Sequence, residues 1–109
     1  MSEKVKIEES SGNVFLDIGF PEEEAEYQQL KVDLAFAIHR LLDEQKLTSA
    51  KAEARFGLDP SDVSRLKKMD FTDFTIERLL MILKRLNRNV EIHIKPSDKT
   101  VSHQRVFVT

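Results

Sequence analysis

Apolar side chains recur along the middle of the chain at three- and four-residue intervals. Leu30, Leu34, Ile38 and Leu41 share one helical face, Ala37 and Leu42 widen it, and Lys31, Asp33, Arg40 and Asp43 are left to face outward. The pattern predicts a long helix over about residues 23–45. The acidic run that follows Pro21 suits its first turn, where negative charge meets the positive end of the helix dipole. A second stripe, Ile76, Leu79, Leu80, Leu83 and Leu86, predicts another amphipathic helix. Thr75 is placed to cap it, and residues 87–89 to close it, since Asn tolerates the left-handed backbone of a helix end.

Between these stripes lies LTSAKAEARFGLDPSDVSRLKK, residues 47–68. Thr48 can cap a short helix over residues 49–56, which Gly57 is placed to end. Asp59 caps the next helix, with Pro60 pre-set for its first position and Asp62 three residues on, in the manner of a capping box. Two short helices joined by a tight turn containing Gly form a helix-turn-helix pattern. Phe56, Leu58, Val63 and Leu66 anchor the second helix, leaving Ser61, Asp62, Ser64, Arg65, Lys67 and Lys68 projecting outward. Hydroxyls and cations bond phosphates and base edges in a major groove. The same spacing also fits a helical corner with a solvated face, and spacing alone leaves both readings open. Phe71 and Phe74, in the connection MDFTDFT, are expected to plug the core beneath this helix, because exposed Phe is costly; a partner-binding patch is the lesser reading.

The ends of the chain carry a period of two. Val14, Leu16 and Ile18 alternate with Phe15 and Asp17 and predict a short strand or extended arm; Val90, Ile92 and Ile94 alternate with Glu91, His93 and Lys95 and predict a half-buried strand. Residues 96–99 read as a turn, VSHQRVFVT as a second strand or a flexible end, and residues 1–12 as a frayed start. The expected fold is mainly α: a compact helical bundle with a helix-turn-helix, plus short N-terminal and C-terminal β-strands. It divides into an acidic N-terminal arm with a short strand (1–22), a helix-turn-helix domain (23–89) and a C-terminal strand region for dimerisation (90–109).

Composition narrows the function. With 109 residues, 40% hydrophobic and 33% charged, the chain suits one soluble domain with a single modest core. The absence of Cys excludes disulfides and cysteine zinc sites. The polar start lacks a signal-peptide pattern and no stretch approaches the ~18 apolar residues of a membrane span, so a cytoplasmic protein is expected. Net charge is only −2, but residues 1–26 hold eight acidic and two basic side chains, and the remainder is mildly basic. Such a block is a solvated tail or the surface that meets a basic partner. His39, His93 and His103 are too scattered for a metal site, and no Ser-His-acid set or phosphate loop is present. Neither enzymatic activity nor a cofactor is expected.

The stretch LTSAKAEARFGLDPSDVSRL, followed by FTIERLLMILKRLNRNVEI, resembles the Cro and phage-repressor (XRE) helix-turn-helix family. With NVFLDIGF before it and VEIHI after it, the pattern is most similar to the HigA-type antitoxin branch of HigB/HigA-like toxin-antitoxin modules. The likeness covers about residues 13–95. It implies that Thr48 and Ser49 meet the DNA backbone, that Ser61, Asp62, Ser64 and Arg65 lie where bases or phosphates are read, and that Lys67 and Lys68 stand at the exit of the recognition helix. Asp62 either accepts from a cytosine amino group or caps its own helix, the latter being favoured. Ser49 and Pro60 depart from frequent glutamines of the family, and Glu53 from a usual Ala.

Two functions of different class follow from the resemblance. One is a repressor that binds a double-stranded DNA operator as a homodimer, reading half-sites about 34 Å apart, with Val90, Ile92 and Ile94 pairing across the twofold axis. The other is the neutralisation of a small basic ribonuclease toxin through Val14, Phe15, Leu16, Glu22 and Glu23. The family combines both in one autoregulating chain. The alternatives are a solitary phage-type transcriptional regulator and a protein-interaction antitoxin with little DNA binding of its own.

Overall fold

The computed structural model describes residues 3–4, 14–94, 96 and 106–108. Its helices are α1 (Val14–Asp17), α2 (Glu22–Glu44), α3 (Ser49–Phe56), α4 (Pro60–Lys67) and α5 (Ile76–Arg85). A two-residue antiparallel ladder joins β1 (Glu3–Lys4) to β2 (Phe107–Val108), with Glu3 opposite Val108 and Lys4 opposite Phe107. The chain forms two compact units, residues 34–90 and residues 1–33 with 91–109. Lys95, the turn residues 97–99, His103 and most of the opening stretch lie outside the described residues. No helix among the described residues is long and apolar enough to cross a membrane.

In the unit of residues 34–90, the interior is built from Ile38, Leu42, Leu47, Val63, Leu66 and Leu79, all fully buried. Burial of each such side chain is worth about 1.5–3 kcal/mol. Phe71 and Phe74 are buried as well, so the α4–α5 connection is pinned from within. The helix starts are fixed locally. Thr48 Oγ1 accepts from Lys51 N at 3.1 Å, Asp59 Oδ1 from Ser61 N at 2.8 Å and Thr75 Oγ1 from Arg78 N at 3.1 Å. Helices α2, α4 and α5 close on left-handed residues that carry side chains: Lys46 (φ 52), Met69 (φ 62) and Asn87 (φ 62). The amide of each returns to the carbonyl three residues back, and that of the next residue to the carbonyl five back, as in Leu47 N to Leu42 O at 3.0 Å and Asp70 N to Arg65 O at 2.9 Å. These are Schellman closures, which end a helix and satisfy its last carbonyls.

In the other unit the strand expected over residues 14–18 is instead helix α1. Gly19, at φ 104, turns the chain, and Phe20 N returns to Phe15 O at 3.0 Å. The Phe15 and Phe20 rings meet edge to face with centroids 5.6 Å apart. An extended chain would hold residues five apart at roughly 16 Å, so this contact requires the turn. Val14, Leu16 and Ile18 remain exposed.

The strand expected over residues 90–95 is also absent: residues 89–94 have no regular structure, and Ile92 and Ile94 are 74% and 93% exposed. Alternation marks a strand only when a neighbour supplies the ladder hydrogen bonds. The outward placement of Lys31 and Asp33 is corrected too. Both are buried, because the middle of α2 is enclosed on more than one face, which a single apolar stripe does not reveal.

Candidate nucleic-acid interface

The turn between α3 and α4 is set by backbone angle. Gly57 adopts φ 69 and ψ 27, and its amide returns to Glu53 O at 2.9 Å. A Cβ at Gly57 would meet Arg85 Nη1 at 3.7 Å, an ordinary contact, so left-handed geometry rather than crowding calls for glycine. Arg85 Nη1 donates to Gly57 O at 2.6 Å, tying the turn to α5. The chain then extends through Asp59 (φ −67, ψ 123), and Pro60 opens α4, which packs against α3.

Helix α4 is held by three long-range polar ties as well as by Val63 and Leu66. His39 on α2 donates from Nδ1 to Leu66 O at 2.9 Å, with its ring stacked on Phe36. Lys67 Nζ donates to Leu47 O at 2.8 Å. Arg78 on α5 donates from Nε and Nη2 to Asp62 Oδ2 at 2.9 and 2.6 Å. These ties join the start and end of α4 to elements distant in sequence.

Of the residues expected on the recognition surface, Ser61, Arg65 and Lys68 are exposed and Ser64 is half-buried. At intervals of three and four residues they form one outward stripe along α4. Arg65 Nη1 lies 3.6 Å from Asp73 Oδ2, an exposed pair worth under about 1 kcal/mol. One placement differs from expectation. Asp62 is buried and bonded to Arg78, so it neither projects outward nor completes a capping box; its carboxylate reaches α5 instead of its own helix end. Lys67 is exposed as expected, with its ammonium donating to Leu47 O. Thr48 caps α3 from an exposed position, and Ser49 begins that helix half-buried.

The residues expected to bind a partner lie elsewhere. Val14, Phe15 and Leu16 form α1, while Glu22 and Glu23 stand exposed in the first turn of α2. Val90, Ile92 and Ile94 are exposed in the segment after α5. Among the described residues, no three His, Cys, Asp or Glu side chains gather as a metal site would require. Sequence periodicity missed Arg78, Arg85, His39 and Asp73. Their partners lie 8 to 28 positions away, and no local pattern announces such a pairing.

A helix-turn-helix domain family model matches residues 14–95, most of the chain. A solved structure named "Putative XRE Family Transcriptional Regulator" is 34% identical, with a TM-score of 0.65, and the match covers 79% of this chain and 97% of that one. The chain belongs to the XRE helix-turn-helix family. Comparison with curated proteins gives no match.

Proposed function

We propose that this XRE-family chain is a sequence-specific DNA-binding transcriptional regulator that inserts α4 into the major groove. The observation that carries this reading is the outward stripe of Ser61, Ser64, Arg65 and Lys68 on a helix whose other side is fixed by Val63, Leu66, His39 and Lys67. A rigidly mounted helix presenting hydroxyls and cations meets the geometric demand of base reading; a merely solvated corner has no need of four separate anchors. The test is fluorescence anisotropy with a labelled fragment from immediately upstream of its own coding sequence, at two salt concentrations. Specific binding should exceed that to an unrelated duplex and weaken as salt rises. Equal affinity for both fragments would remove sequence-specific reading.

The finer reading is a repressor of the HigA-type antitoxin branch, acting as a homodimer, neutralising a small basic ribonuclease toxin and autoregulating its operon. Two features support it. Val14, Leu16 and Ile18 are exposed next to the acidic first turn of α2, which offers apolar burial together with steering of a basic partner. Val90, Ile92 and Ile94 are exposed with a period of two, and such a segment orders as a strand when a twin supplies the ladder. Co-purification with the product of a neighbouring small basic reading frame tests the antitoxin role. With no such frame, the reading reverts to a solitary regulator.

A further inference from the structure

Asp62 is an acid in the opening turns of the proposed recognition helix, where a negative charge would repel DNA. Its side chain is 12% exposed, and it is joined to Arg78, whose side chain is 50% exposed. Both bonds from Arg78 end on Asp62 Oδ2, from Nε and Nη2. A guanidinium has five N–H donors in a fixed plane, so about three stay available on the exposed side. Asp62 directly follows Ser61 and lies one turn before Arg65, which sets the guanidinium beside the outward stripe of α4. An ion pair that only clamped two helices could be replaced by apolar side chains without loss. A half-exposed guanidinium anchored by a buried carboxylate is instead a cation held in position. We infer that Arg78 contacts a backbone phosphate of the DNA bound by α4, and that Asp62 is the positioning residue that presents it.

This inference rests on the DNA-binding reading, and its test separates the two. Asp62→Asn/Arg78→Gln keeps the net charge and a hydrogen-bonding pair while removing the cation. Binding of a labelled duplex of arbitrary sequence, about 30 base pairs long, is measured by anisotropy between about 50 and 200 mM salt. The slope of log affinity against log salt should fall by about 0.9 relative to wild type, the contribution of one phosphate contact. Arg78→Lys, which keeps a cation opposite the retained Asp62 carboxylate, should hold the wild-type slope, whereas Asp62→Asn alone should lower it because the guanidinium loses its anchor. An unchanged slope in the Gln variant or in Asp62→Asn, or a lowered slope in Arg78→Lys, overturns the inference while leaving DNA binding intact. Failure of the wild type to bind any duplex at low salt overturns both. If thermal melting shows the Asn/Gln pair unfolded at assay temperature, the apolar pair Asp62→Leu/Arg78→Met carries the same comparison.

Discussion

At the scale of single residues, exposure and partnership separate reading from support. Arg65 is exposed and its ion pair with Asp73 is long, so Arg65→Ala should leave the melting temperature almost unchanged. Specific DNA affinity should drop by roughly 1 to 3 kcal/mol, read by anisotropy against the upstream fragment. Wild-type affinity in that variant would assign the reading to another side chain. Asp33 makes a different kind of prediction. Burial pushes its carboxyl up to about 6, against the opposing effect of the Gln29 Nε2 hydrogen bond at 2.9 Å. The folded state therefore holds a proton that the unfolded chain has released between about pH 4 and 6, and this contribution to stability falls as pH rises through that window. Above it the cost of the buried charge is fully present. Asp33→Asn, which retains an acceptor for Gln29, should raise stability at pH 7 by on the order of 1–3 kcal/mol. The gain should shrink towards pH 4 in denaturant titrations of both proteins, whereas a gain independent of pH would mean that the Asp33 carboxyl titrates alike in the folded and unfolded chain.

At the scale of elements, the helix ends decide how α3 and α4 are joined. Gly57 has space for a Cβ but not the backbone angle for one, so Gly57→Ala should destabilise by about 1 kcal/mol through backbone strain. The reverse applies at the end of α2. Lys46 sits at φ 52 in an exposed Schellman closure, and Lys46→Gly should stabilise by up to about 1 kcal/mol, read as a higher urea midpoint. A lower midpoint would show that the Lys46 side chain contributes more than its backbone costs. The four helix closures could be placed from sequence only in part. Gly57 and Asn87 announce themselves as residues tolerant of left-handed backbone, while Lys46 and Met69 adopt the same conformation with nothing in their chemistry to mark it. Their conformation follows from the return of Leu47 N to Leu42 O and of Asp70 N to Arg65 O, which the burial of Leu42, Leu47 and Phe71 imposes.

At the scale of the whole molecule, the proposal requires a second copy, because one short recognition helix makes too few base contacts for a specific operator. Sedimentation at micromolar concentration should show a dimer of the 12.6 kDa chain, and replacing Ile92 and Ile94 with Ser should shift it towards monomer. A monomer in the parent protein would give the exposed residues 90–94 another use. Deletion of residues 1–20, which removes α1 and its apolar face, should abolish capture of a basic protein partner and spare DNA binding. Equal loss of both activities would place that segment in the folding of the chain rather than in recognition.

The sequence by itself determined what depends on neighbours a few positions apart: the long amphipathic α2, the Thr48, Asp59 and Thr75 caps, the Gly57 turn and the apolar anchors of α4. Those signals are legible because hydrogen bonds within a turn and side chains on one helix face repeat at fixed short intervals. Tertiary structure alone decided which outward-looking groups were free. It buried Lys31, Asp33 and Asp62, set the Lys67 ammonium on Leu47 O and placed Asp73 beside Arg65. It also folded Val14–Asp17 as a helix and left residues 90–94 without a ladder. Alternation of polar and apolar residues states a preference for a face, but a strand needs a second chain segment to bond it, and a charge finds its partner in space rather than along the chain.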